Sequence, residues 1–171
     1  MFVNSCTVGY GANVTSETPS NLKLLLGGFA YFVTGVTKLT DLKGHHTVIK
    51  GDNINWQGDL ISVIIGNGRQ AGSGVIISHK GLLNDGFFEG MILPDFDFTN
   101  IMQFSRFFTD DKDTESEFVI DFQSSWLEIE TDNNIQFNLD GEPIKGNLFQ
   151  LKIVPQQIPF ILPHTSQLLK P

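Results

Sequence analysis

Two periods run through the apolar positions of this chain. Between residues 20 and 43, Leu22, Leu25, Leu26, Phe29, Val33, Val36 and Leu39 recur every three or four residues. That spacing puts side chains on one face of an α-helix. Ser20, directly after Pro19, is the type of residue that caps a helix N-terminus by accepting a free backbone N–H. The spacing therefore predicts a long helix over 20–43. Gly27, Gly28 and Gly35 lie inside it, and each weakens it by about 1 kcal/mol relative to alanine. Such a helix needs tertiary packing, and a close approach to a sheet accounts for its glycines.

After Lys43 the period falls to two. "HTVIK", "NINWQG", "LISVIIGN", "GVIIS" and "FFEGMIL" are short β-rich runs divided by glycine and polar turns. "LISVIIG" is apolar on both faces, as a central strand is. "TNIMQFSRFF", 99–108, reads as a short helix capped by Thr99, and the charged run 109–117 as a solvated loop. Then come "FVIDF", "SWLEIET", "NIQFNL", "NLFQLKIV" and "IPFIL", an antiparallel meander. Many short strands at this spacing predict one mainly β domain, an antiparallel β-sandwich with one long and one short helix. No internal repeat or low-complexity linker interrupts it.

Composition narrows the function. The 171 residues can bury a core of their own, and fifteen phenylalanines against two tyrosines and two tryptophans make that core dry. The net charge of −8 gives no long-range attraction to nucleic acid or anionic lipid, so nucleic acid is not expected as a partner. Cys6 is the only cysteine, which excludes an internal disulfide and fits a reducing compartment. The start "MFVNSCTVGYGANV" lacks a charged n-region followed by an apolar run. No stretch reaches the roughly 18 apolar residues of a membrane span. The expected location is cytoplasmic. His45, His46, His79 and His164 form no zinc pattern with one cysteine and read as surface or packing residues.

Three loops carry candidate chemistry. "GNGRQAGSG", 66–74, is glycine-rich but feeds a strand rather than a helix N-terminus, and lacks the Lys-Ser/Thr of a phosphate loop. On spacing it is a structural loop. "GLLNDGFF", 81–88, reads as a turn on Asn84-Asp85-Gly86 or as an oxygen-ligand loop for a hard cation such as Mg²⁺. "FNLDGEP", 137–143, is a hairpin signal with Asp140 and Glu142 either side of a glycine. Pro143 fixes the backbone just after Glu142.

The order and spacing of these three stretches, with the early "VGYGANV" and the helix "LLLGGFAYFVTGVTKL", resemble the C-terminal domain of the bacterial diacylglycerol kinase-like lipid kinases of the YegS type over nearly the whole chain. The resemblance implies a two-domain enzyme whose N-terminal half binds ATP through a Gly-Gly-Asp-Gly-Thr motif, which is absent here. It implies that Glu142 is the general base that takes the proton of a lipid hydroxyl, with Asp140 as the alternative. It places a structural Mg²⁺ on the Asp85 side chain and the backbone oxygens of Leu82 and Phe87, and a second Mg²⁺ with ATP. The chain departs from the family at Gly72-Ser73-Gly74, where three glycines are common, and at His79 and Gly81, where Pro and Ala are common.

The resulting expectation is the lipid-acceptor half of a kinase, inactive alone. Its acceptor would be a glycerolipid with a free hydroxyl, of the diacylglycerol or phosphatidylglycerol class. Its partners would be its own N-terminal ATP-binding domain and, transiently, a membrane. The tail 162–171 would pack on that other domain and be poorly anchored without it. The rival is a free-standing β-sandwich that binds lipid or regulates. A relation to NAD kinase shares the two-domain plan, but "GNGRQAG" and "LDGEP" favour the lipid branch.

Overall fold

The computed structural model describes residues 1–9, 44–71, 75–95, 119–163 and 166–169. Both expected helices, 20–43 and 99–108, and the charged run 109–117 lie outside the described residues. Among the described residues all regular structure is strand: β1 Ser5–Gly9, β2 His45–Gly51, β3 Asn55–Gly66, β4 Gln70–Ala71, β5 Val75–Ile76, β6 Phe88–Pro94, β7 Ile120–Ser124, β8 Trp126–Leu139 and β9 Glu142–Lys152.

Seven of these strands form one antiparallel sheet, while β4 and β5 pair as a separate hairpin. β3 and β8 are long, 12 and 14 residues, because each joins two runs that look separate in the sequence. A bulge between Leu60 and Ser62 links the "NINWQG" and "LISVIIG" runs, and a register shift between Glu130 and Ile135 links "SWLEIET" to "NIQFNL". A bulge absorbs the break in period and bends the strand without ending it.

β1 and β2 share one lane between β3 and β8. Cys6 pairs with Ile65 and Leu139, Ile49 with Trp56 and Ile129. β1 fills this lane as far as Gly9, and β2 fills it from His45. The lane order across the sheet is β7, β6, β3, then β1 with β2, then β8 and β9. β7 and β8 are thus four lanes apart, about 19 Å in a flat sheet at the usual strand spacing. Ser125 alone connects them, and one intervening residue reaches only about 7 Å. The sheet must therefore roll over on itself.

The rolled interior holds the main core: Val8, Ile49, Val63, Ile92, Leu127 and Phe137 are among its sealed residues. Phe137, wholly buried and stacked on Phe149, contributes about 2–3 kcal/mol by burial. On the opposite face of β3 a smaller cluster packs Ile64 and Met91 against Ala71 and Ile77, from the β4–β5 hairpin and the residue after it. From Ser62 to Gly66, β3 is buried on both faces and paired on its two edges by β1 and β6, as its unbroken apolar run predicts. The architecture is the expected mainly β, sandwich-like packing, with a barrel-like roll.

A polar clasp closes the roll. The Ser124 hydroxyl, fully buried, accepts the Asp52 N–H at 2.8 Å and donates to the Trp126 carbonyl at 2.6 Å. The Asp52 carboxylate accepts the N–H and hydroxyl of Ser125 at 2.7 and 2.6 Å. These bonds, the side-chain one first, hold the Asp52 carboxyl below its usual range. One expected strand fails: 158–162 joins no ladder, because Pro155, Pro159 and Pro163 remove N–H donors along this stretch.

Candidate functional site

β8 and β9 join through a two-residue turn. Leu139 pairs with Glu142, and Asp140 and Gly141 turn with φ of 50° and 102°. Positive φ at both positions is what the tight right-twisting hairpin turn demands, and Asp-Gly supplies it at small cost. The buried Asn138 accepts the Gly141 N–H on its Oδ1 at 2.8 Å. The hairpin was readable in the sequence.

The two acids of the hairpin have different surroundings. Asp140 turns back onto the start of β1. Its Oδ2 accepts the Val3 N–H at 2.6 Å, and its Oδ1 accepts those of Asn4 and Ser5 at 2.9 and 2.8 Å. Its own N–H donates to the Ser5 carbonyl at 2.9 Å. Partial burial works against its charge, but the three donors outweigh burial and hold the carboxyl below its usual range. Glu142 is exposed on the first rung of β9. As the cross-strand partner of Leu139 it shares that residue's sheet face, at the open rim of the main core. Pro143 follows it on a strand paired only with β8 among the described residues, a position that tolerates the missing N–H.

Cys6 lies beneath this hairpin. Burial, helped by the Asp140 charge, pushes its thiol up to about 12, so it stays protonated and inert near neutral pH.

The Asp85 loop precedes β6. Asp85 Oδ1 accepts the Phe87 N–H at 3.1 Å, and Gly86 completes the turn with φ of 86°. The loop offers the carboxylate of the half-buried Asp85 and its backbone carbonyls, an all-oxygen donor set that suits a hard cation such as Mg²⁺. No group of three His, Cys, Asp or Glu side chains converges among the described residues. Asp85, Asp140 and Glu142 therefore do not meet on one ion.

The glycine-rich stretch is described as far as Ala71, with 72–74 outside the described residues. Gly68 takes φ of 97°, and Arg69 reaches out to the Gly81 carbonyl at 3.1 Å and the Gln167 carbonyl at 2.8 Å. The tail was expected to be poorly anchored, but residues 167 and 168 are hydrogen-bonded to the body, Leu168 through the Leu83 N–H at 2.8 Å. His45, His46 and His79 are exposed, and His46 meets Asp59 and Gln57 at the surface. His164 lies outside the described residues. Sequence reasoning missed the tasks of Asp140 and Arg69, because their partners lie far away along the chain and no local pattern marks them.

Comparison with known proteins gives one consistent family. The family model described as the YegS C-terminal NAD kinase beta sandwich-like domain matches residues 4–162. The chain is 37% identical over 169 residues to a probable lipid kinase YegS-like of Citrobacter koseri, covering 99% of this chain and 55% of that protein. It is 38% identical over 168 residues to the protein of the same name from Serratia proteamaculans, covering 98% and 54%. A solved "putative diacylglycerol kinase" from Bacillus anthracis shares the fold at a TM-score of 0.69 and 17% identity, over 90% of this chain and 50% of that one. The chain thus spans about half the length of the curated relatives it matches. No helix among the described residues is long and apolar enough to cross a membrane.

Proposed function

The chain belongs to the YegS C-terminal domain family, and on that premise we propose that it is the acceptor-side half of an ATP-dependent lipid kinase. The acceptor is the free hydroxyl of a glycerolipid, of the diacylglycerol or phosphatidylglycerol class. The observation that carries this reading is the hairpin rim: Glu142 stands exposed on a turn that Asp140 and Asn138 pin from both sides.

Glu142 accepts the proton of the lipid hydroxyl as its oxygen bonds to the γ-phosphorus of ATP. The bond from that phosphorus to the bridging oxygen breaks, and ADP leaves. A positioned base of this kind contributes about 10²–10⁴ in rate. ATP with its Mg²⁺ belongs to an N-terminal half, the partner this domain needs. Asp140 is the weaker candidate for the base, because three backbone N–H groups already occupy its carboxylate.

A separate Mg²⁺ would be held by the Asp85 carboxylate and the carbonyls of Leu82 and Phe87, and it would stiffen the loop ahead of β6. The enzyme works in the cytoplasm and touches a membrane transiently to reach its lipid. At a net charge of −8, that contact is apolar rather than electrostatic. Val154, Phe160 and Ile161 are exposed near the tail.

The test uses the two-domain enzyme with Mg-ATP and mixed glycerolipids. Glu142→Gln keeps the shape and removes the base, so kcat should drop about 10²–10⁴-fold with the fold intact. Full activity in Glu142→Gln with none in Asp140→Asn would transfer the role to Asp140. Turnover by residues 1–171 alone would overturn the two-domain reading.

A further inference from the structure

Arg69 stands in the glycine-rich stretch, to which the kinase reading assigns no task. Its Nε donates to the Gly81 carbonyl and its Nη2 to the Gln167 carbonyl. One residue further along the tail, the Leu168 carbonyl accepts the Leu83 N–H at 2.8 Å. Two successive peptide units of the Asp85 loop are thus held from outside it. The 81–82 unit is held by its oxygen and the 82–83 unit by its nitrogen. Gly68 assists, since a Cβ there would stand 2.7 Å from Leu83 Cδ2, and glycine leaves the Leu83 side chain its seat.

A trans peptide is planar, with C=O and N–H pointing in opposite directions. Tying the Leu83 N–H to the tail therefore aims the Leu82 carbonyl away from the tail. That carbonyl is one of the three oxygens of the proposed cation site. Donation by the N–H also polarises the same peptide, strengthening its oxygen as an acceptor by about 10–30% on condensed-phase estimates.

We infer that residues 166–169 and Arg69 form a brace that presets the Leu82 carbonyl, so that the affinity of the Asp85 loop for a divalent cation depends on the docked tail. This rests on the cation reading of that loop given above. Coupling of this kind is reciprocal: a force that lifts the tail weakens cation binding, and the bound cation holds the tail down. Arg69 and the tail are positioning elements here and touch no ion themselves.

Mg²⁺ titration followed by thermal unfolding tests the brace, with four forms of this chain: the parent, Asp85→Ala, Arg69→Ala and a form ending at Pro163. Mg²⁺ should raise the melting temperature of the parent, because binding to the native state stabilises it, and Asp85→Ala should lose the response. Both brace variants should need about tenfold more Mg²⁺ for half the effect, the low end of what loss of outer-sphere support costs a metal site. Mg²⁺ should also slow amide exchange in residues 166–169 of the parent. If the parent responds and both brace variants respond at the same concentration, the brace is wrong and the cation site stands. If the parent does not respond up to tens of millimolar, on the same mass-action reasoning, the cation reading falls and takes the brace with it.

Discussion

Ser124→Ala removes one oxygen from the clasp that closes the sheet. Ser124 is fully buried, and its hydroxyl both accepts the Asp52 N–H and donates to the Trp126 carbonyl. Alanine fits the space and leaves both backbone groups without their partner. A buried donor or acceptor so orphaned costs about 1–3 kcal/mol. Asp52 is exposed, so water recovers part of its share, and a total of about 2–3 kcal/mol follows on the same scale. In a domain of this size that lowers the melting temperature by roughly 4–12 °C. Urea unfolding followed by the fluorescence of Trp56 and Trp126 should show a lower midpoint at unchanged slope, the sign of lost stability rather than a changed unfolded state. Ser125→Ala is the control. It loses only the hydroxyl bond to Asp52, while its N–H still holds that carboxylate, and should cost under about 1 kcal/mol. A Ser124→Ala chain within about 0.5 kcal/mol of the parent, the range of an indifferent surface change, would show that the clasp does not hold the roll.

Asp140 should make stability depend on acid. Its folded-state carboxyl is held low, so its contribution is fully present above the unfolded-state value of about 3.9 and is lost as pH falls through the folded value. The stability gap between parent and Asp140→Asn should therefore hold from pH 7 down to about 4 and narrow progressively below that, and urea melts showing a constant gap as the pH is lowered further would refute this. Gly90→Ala should destabilise by about 1–3 kcal/mol through overpacking, because a Cβ there runs into the Phe122 ring; an unchanged melting temperature would mean that β6 and β7 can shift apart freely.

What the sequence revealed follows the reach of each physical signal. "LISVIIG" announced a strand buried on both faces, and Asp140-Gly141 announced its turn, because both signals are local. β1 escapes the pattern because Ser5–Gly9 is a run of small residues buried at every position but Thr7, so no apolar/polar alternation marks it. β3 and β8 were each read as two strands because a bulge shifts the period in midstrand. The roll of the sheet is encoded nowhere in a strand pattern. It follows from pairing, once β7 and β8 are four lanes apart with one residue between them. The family resemblance pointed to Asp85, Asp140 and Glu142 but was silent on Arg69. It could not say that the Asp140 oxygens bond residues 3–5.

Those bonds explain how two carboxylates separated by one glycine can carry different tasks. A carboxylate offers about four lone-pair sites, and three N–H donors aim at those of Asp140. Its depressed proton affinity also makes it the poorer proton acceptor, since base strength and rate rise together. Its work is to tie the hairpin to β1, with Asn138 tying Gly141 from the other side, and the rigid turn fixes where β9 begins. Glu142 is the first residue past that fixed point, and its side chain projects from the rim. Removing Asp140 would therefore loosen the residue it positions, and loss of activity in Asp140→Asn alone cannot identify the base. A further reading separates the roles. If Asp140 is a tie, amide exchange at Val3–Ser5 quickens in Asp140→Asn and not in Glu142→Gln.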